Sequence, residues 1–295
     1  MKPWILLIIL TISTSCTNKN DEDSGSSIPQ QDKLEPNAEV KVNLTGDVIL
    51  GGPRSNSIIL SVAALNGTQV SINYGTSVGT LNNKVTEIVS ANNIVEITLK
   101  NLNANSRYYY NLLFNGVAQG ETYSFVTRRP ARSTFSFGVQ GDSHPEREKE
   151  MFNEDLYKIN MNNVAQHQPD FYFTLGDDFS IENLIDRNMA TQYSVDNIYT
   201  LQRKNLGIVG CNSSLFLVNG NHEQAAKYLL DGTATNPAVY AGIARKRFYP
   251  LPDPIDGYLG DTSQVEYIGY LKDYYAFEWG DALFVTIDPY WHSNT

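Results

Sequence analysis

The chain has 295 residues and carries 22 Lys and Arg against 32 Asp and Glu, a formal net charge of −10. Its 41% hydrophobic and 18% charged residues suit a folded globular chain and exclude a disordered or fibrous one. The acidic balance offers no basic stripe for a nucleic acid, but it leaves room for a phosphorylated small substrate if bound cations supply positive charge locally.

The chain opens with Lys2 and an apolar run from Trp4 to Ile12. This is too short to span a bilayer, which needs about 20 apolar residues, and it reads as an export signal over residues 1–15. Small residues Ser13, Thr14 and Ser15 then precede Cys16. The arrangement resembles the lipobox of bacterial lipoproteins, with Ser13 where Leu is usual. That resemblance implies lipidation of Cys16 and anchoring to a membrane through it. It also implies a place at the outer membrane or cell surface of a Gram-negative bacterium, or facing the periplasm. An ordinary signal peptide with a chance cysteine is the plainer alternative. Thr17 to Asp23 is similar to the acidic export tag of surface lipoproteins. Residues 16–37 are polar and lack apolar periodicity, so they predict a flexible tether. Cys211 is the second of the 2 cysteines, and it reads as a buried, unpaired thiol.

From about residue 38 to 128 short alternating runs are broken by turn residues. Ile58–Val62, Val70–Tyr74, Ile94–Leu99, Tyr108–Phe114 and Tyr123–Thr127 predict strands. Asn66-Gly67 is a hairpin-type signal, and Asn115-Gly116 separates the last two runs. Many short strands in this span predict a β-sandwich. The stretch from Leu102 to Tyr110, with the closing Ser124–Thr127, resembles a fibronectin type III domain. It is similar to the sandwich that precedes the catalytic domain of purple acid phosphatases.

After Arg128-Arg129-Pro130 the pattern becomes α/β over residues 132–295. Phe135–Gln140 predicts a strand and Glu148–Gln166 a helix. Phe171–Leu175 predicts a second strand, Ile181–Asn205 a mostly helical stretch, and Leu215–Val218 a third strand. A Tyr- and Pro-rich insertion follows, then a hairpin-like pair, Tyr274–Trp279 and Leu283–Asp288.

Each of the three strands runs into a polar cluster: Gly141-Asp142-Ser143-His144, Gly176-Asp177-Asp178 and Gly220-Asn221-His222-Glu223. In open α/β sheets ligands bind beyond the carboxyl ends of strands, so the clusters are expected to converge. Any one of them is most often a turn or a helix cap. Together they place carboxylates, imidazoles and an amide oxygen in one cleft, a donor set suited to hard or borderline cations such as Mn, Fe or Zn. Without a cation, Asp142 and Asp177 would repel each other.

The order D-x-H, G-D, G-N-H-E resembles the calcineurin-like metallophosphoesterases, from about residue 132 onward. The resemblance implies a four-layer α/β/β/α sandwich, incomplete here, and a hydrolase that activates water at two metal ions for in-line attack on a phosphoester. It implies Asp142 and His144 as ligands of the first ion, Asp177 as the bridge and Asn221 as a ligand of the second. His222 would be the catalytic residue beside the leaving oxygen, and Glu223 would orient His222. Purple acid phosphatases have Gly where His144 stands and a Tyr ligand where Ser180 stands, so a tyrosinate–iron centre is not expected.

The family's later histidine clusters supply three further ligands. Only 4 histidines exist here: His144, His167, His222 and His292. His167 reads as a surface residue at a helix end and His292 as part of a solvated tail. Three readings follow: a metal-dependent phosphoester hydrolase acting on a phosphorylated substrate, a truncated and incompetent surface-binding lipoprotein, or an adhesion lipoprotein resting on the sandwich alone.

Overall fold

The computed structural model describes residues 48–90, 93–147, 150, 152–223, 230–255, 257–260, 262 and 264–288, and the backbone of Leu6–Ile9 (β1). The tether, Cys16 and His292 lie outside these residues. So does the expected export signal, apart from β1, which pairs in parallel with Ala282–Val285.

Seven strands follow: β2 (Val48–Gly51), β3 (Ile58–Ala63), β4 (Gln69–Gly75), β5 (Asn83–Ile88), β6 (Ile94–Leu99), β7 (Arg107–Phe114) and β8 (Val117–Val126). They form two antiparallel sheets, ordered β2-β3-β6 and β5-β4-β7-β8. Along β7 burial alternates, so Tyr108, Tyr110 and Leu112 point inward while Tyr109 and Asn111 do not. The inward residues meet Leu60, Ile72, Ile97 and Phe125 in one core. Each such side chain contributes about 1.5–3 kcal/mol by leaving water.

Two turn signals resolve differently. Asn115 and Gly116 both have positive φ, 49° and 82°, and close the β7–β8 hairpin as a type I′ turn requires. Asn66-Gly67 instead joins β3 to β4, which lie in opposite sheets. β5 left no signal because its residues are exposed on both faces, which removes the alternation that marks a half-buried strand.

The second half alternates strands and helices: β9 (Phe137–Gln140), α1 (Glu154–His167), β10 (Phe171–Thr174), α2 (Glu182–Asp186), α3 (Gln192–Gly210) and β11 (Ser214–Leu217). The three strands are parallel, in the order β11-β10-β9. α1 starts six residues later than its composition suggests, because the Asn153 side chain caps it by accepting the Leu156 N–H at 2.9 Å. The single helical stretch expected from Ile181 is two helices. Thr191 and Ser194 form a reciprocal capping box that starts α3 afresh. Within the insertion, Asn236 caps α4 (Pro237–Phe248), with Pro237 at a position that has no need of its N–H. Short strands β12 (Leu259–Gly260), β13 (Gln264–Val265) and β14 (Gly269–Tyr270) lead to the hairpin β15 (Tyr275–Trp279) and β16 (Ala282–Thr286).

β10 and β11 are buried along their whole length because both faces are covered. Tyr172, Leu215 and Leu217 face the helices with Val195, Leu206 and Phe248. Phe171, Phe173 and Phe216 face the hairpin's Phe277, Trp279 and Phe284. Phe216 and Phe277 stack with ring centroids 4.2 Å apart. Three of the four expected layers, helices, parallel sheet and antiparallel hairpin, are thus seen among the described residues.

The two halves share a core. Ile49, Ala63 and Ile94 of the sandwich join the helix-side cluster. Arg203 of α3, fully buried, donates to the Ser61 carbonyl at 2.8 Å and Ser61 Oγ at 3.2 Å, and also to the Phe248 carbonyl. Tyr110 Oη donates to the Cys211 carbonyl at 2.6 Å, and Asn212 Oδ1 accepts from the Ser124 N–H at 2.8 Å.

Candidate metal centre

The loops that leave β9, β10 and β11 at their carboxyl ends converge. The Asp142 N–H donates to the Gly176 carbonyl at 2.9 Å, and the His144 N–H to the Asp177 carbonyl at 3.3 Å. A side chain at Gly176 would run into the backbone nitrogen of Gly220, and one at Gly220 would run into Asp177 Oδ1. Glycine at both places therefore lets the second and third loops touch. Asp142, His144 and Asp177 all sit in the left-handed region, with φ of 62°, 44° and 57°. Non-glycine residues pay about 1–2 kcal/mol for this and hold it only where the surroundings over-determine it.

His144, Asp177 and His222 each offer one donor atom, and the three atoms lie within 4.8 Å of one another. The two imidazoles meet edge to face, centroids 4.5 Å apart at 88°. Asp142 reaches that trio through one member: its carboxylate, 65% exposed, meets His144 Nε2 at 2.9 Å. Asn221, half-buried, begins the helical turn that continues through His222 and Glu223. Ser180 is buried, with Oγ 3.5 Å from His222 Nδ1. His167 is exposed at the end of α1.

Both imidazoles are held from behind by carboxylates that the sequence did not single out. His144 Nδ1 lies 2.8 Å from Glu146 Oε1, and His222 Nδ1 lies 2.9 Å from Glu182 Oε2. Burial works to lower the His144 pKa, but the Glu146 hydrogen bond and charge, helped by Asp142, raise it above the usual imidazole value. Glu182 occupies the place expected of Glu223. The Glu223 carboxylate is turned away from His222 and accepts four backbone N–H groups: Asp177 at 2.9 Å, Asp178 at 2.8 Å, Phe179 at 3.0 Å and Gly220 at 2.8 Å. It ties the second loop to the third. Burial and the Asp177 charge push the Glu223 pKa up against those hydrogen bonds.

Asp178 is fully buried beneath the site, and burial, reinforced by the Glu223 charge, pushes its pKa up to about 7. Glu146 could have been suspected from its place two residues after His144. Glu182 and Gln202 had no such signal, since helices α2 and α3 bring them in from sequence-remote turns.

No family model matches this sequence, and neither does any curated protein. Among solved structures, PhoD matches with a TM-score of 0.54 at 17% identity, over 85% of this chain and 52% of that one. The fold is thus PhoD-like, and this chain spans about half the length of that structure. Slighter likenesses are to a myokine structure (TM-score 0.24, 15% identity, 29% of this chain and 97% of that one) and to the fn3 domain of the human collagen alpha-1(XX) chain (TM-score 0.23, 14% identity, 33% and 98%).

Proposed function

We propose that this chain carries the centre of a metal-dependent phosphoester hydrolase. The observation that supports this most directly is the trio of donor atoms from His144, Asp177 and His222, gathered within 4.8 Å at the carboxyl ends of adjacent parallel strands. A PhoD-like, phosphoesterase-type fold supports the same reading. An imidazole and carboxylates fit a borderline divalent or trivalent ion such as Mn, Fe or Zn, with His222 at its edge and not bound to it. His144 and Asp177 would hold it together with Asp142, whose carboxylate already meets His144 Nε2, and Asn221 would serve a second ion. Bound there, the metal supplies charge neutralisation and a water acidic enough to attack a phosphoester near neutral pH.

The protein's own groups do the rest. Glu146 and Glu182 engage the two Nδ1 atoms and so turn Nε2 of each ring outward. His222 Nε2 then faces the centre, where it can give a proton to the departing oxygen. Glu223 ties the second loop to the third, so that positioning is complete before substrate arrives. Export and a lipid anchor at Cys16 belong to the same proposal and rest on the sequence signal alone.

The test is turnover of p-nitrophenyl phosphate and of bis-p-nitrophenyl phosphate by the purified chain with Mn or Zn. Activity is expected with added ion and is expected to vanish in Asp177→Ala. Full activity in that variant ends the reading.

A second reading, one ion or fewer per chain and a binding rather than hydrolytic role, is favoured by a single observation: among the described residues only one trio of donor atoms is gathered closely enough to hold an ion. Metal content of the loaded protein separates the two.

A further inference from the structure

Asp178 has no role in the reading above, yet its surroundings are the most interlocked in the molecule. Its side chain is 0% exposed, and Oδ1 accepts from three residues in two segments that are far apart in sequence. Gln140 Nε2, at the end of β9, donates at 3.0 Å, and Gln202 Nε2, on α3, at 3.3 Å. Ser143 Oγ, from the residue between Asp142 and His144, donates as well. Gln202 Nε2 also reaches Ser143 Oγ at 2.8 Å, and Tyr157 of α1 donates to Gln140 Oε1 at 2.7 Å. The Asp178 N–H meanwhile is held by Glu223 Oε1. The side chain of Asp178 thus grips the first loop while its backbone is gripped from the third. Asp177 is its immediate neighbour.

Such a junction explains how the strained backbone at Asp142, His144 and Asp177 persists. Without it, each loop could relax out of the left-handed region, and the donor atoms would move apart.

Building on the metal-centre reading, we propose that Asp178 is a positioning residue. By accepting hydrogen bonds from Gln140, Ser143 and Gln202 it fixes the first loop against the second and so sets how tightly the centre binds its ion. All three of these hydrogen bonds end on Oδ1 of Asp178, so an amide nitrogen in place of Oδ2 removes none of them. Asp178→Asn therefore keeps the junction, and Asp178→Leu destroys it at similar volume.

The experiment is Mn²⁺ titration by calorimetry on the full chain, Asp178→Asn, Asp178→Leu and Ser143→Ala, with far-UV dichroism and a melt on each. Mn²⁺ affinity is expected to fall about 10–100-fold in Asp178→Leu, as is usual when the support of a metal ligand is lost. It is expected to stay within about threefold in Asp178→Asn and to fall between these limits in Ser143→Ala. A folded Asp178→Leu with unchanged affinity overturns the inference, as does an Asp178→Asn as weak as the leucine variant. If Asp178→Leu does not fold, Ser143→Ala decides: weakened binding supports the role and unchanged binding rejects it. Wild-type protein that takes up no Mn²⁺ removes the metal-centre reading itself, and this inference with it. Wild-type binding with unchanged variants removes only the inference.

Discussion

Glu182 Oε2 lies 2.9 Å from Nδ1 of His222, although forty residues separate them, because Glu182 opens α2 just after the loop that leaves β10. This contact gives His222 its direction, since the ring nitrogen not held by Glu182 is the one left to face the centre. Glu182 keeps 39% of its side chain exposed, so its removal disturbs no core. Glu182→Gln is expected to lower phosphoester turnover by about tenfold, the lower end of what outer partners of active-site histidines contribute. The melting temperature should stay within experimental error of wild type. Steady-state kinetics together with a thermal melt check this, and unchanged turnover counts against the orienting role.

Glu223 should behave in the opposite way. Its two oxygens accept four N–H groups, two of them fully buried, and an amide nitrogen in place of either oxygen would point a donor at donors. Glu223→Gln is therefore expected to be no rescue, costing about 2–4 kcal/mol of stability as several buried donors lose their acceptor. Urea unfolding monitored by tryptophan fluorescence measures it.

Arg203 joins the sandwich to the helices through Ser61 and Phe248, and these contacts are buried. Arg203→Met keeps the aliphatic stem but leaves the Ser61 and Phe248 carbonyls without their donor. Stability should fall by about 2–3 kcal/mol. The two halves are expected to continue unfolding in one transition, because Ile49, Ala63 and Ile94 still share the helix-side core. Calorimetry reads both the shift and the number of transitions.

Cys211 offers a check on pH behaviour away from the centre. Burial pushes its thiol up to about 11, against weak hydrogen bonds from neighbouring groups. The folded state therefore favours the neutral thiol. At pH 8 the reactive thiolate should be about a hundredfold scarcer than for an ordinary exposed cysteine of pKa about 8.5. Alkylation by iodoacetamide, read by peptide mapping so that Cys211 is scored apart from Cys16, should rise about tenfold per pH unit from 8 to 10. The sign for stability follows: folding raises this pKa above the unfolded value near 8.5, so stability falls as pH climbs from there towards 11.

The sequence by itself determined most of the strands and the three polar clusters at strand ends. Those features are local: alternation, apolar runs and glycines before polar residues report what one segment must bury and where it must turn. Tertiary structure alone decided which of the marked residues share a centre. His144, Asp177 and His222 come together, while Asp142, more exposed, touches the group through His144. Only the fold could assign Glu223 to backbone N–H groups and give His222 to Glu182, because a carboxylate's partner depends on how loops from different strands cross. It also made Asp178 a junction. A buried hydrogen bond joins groups remote in sequence, such as Asp178 and Gln202, and no periodicity in either segment encodes the other.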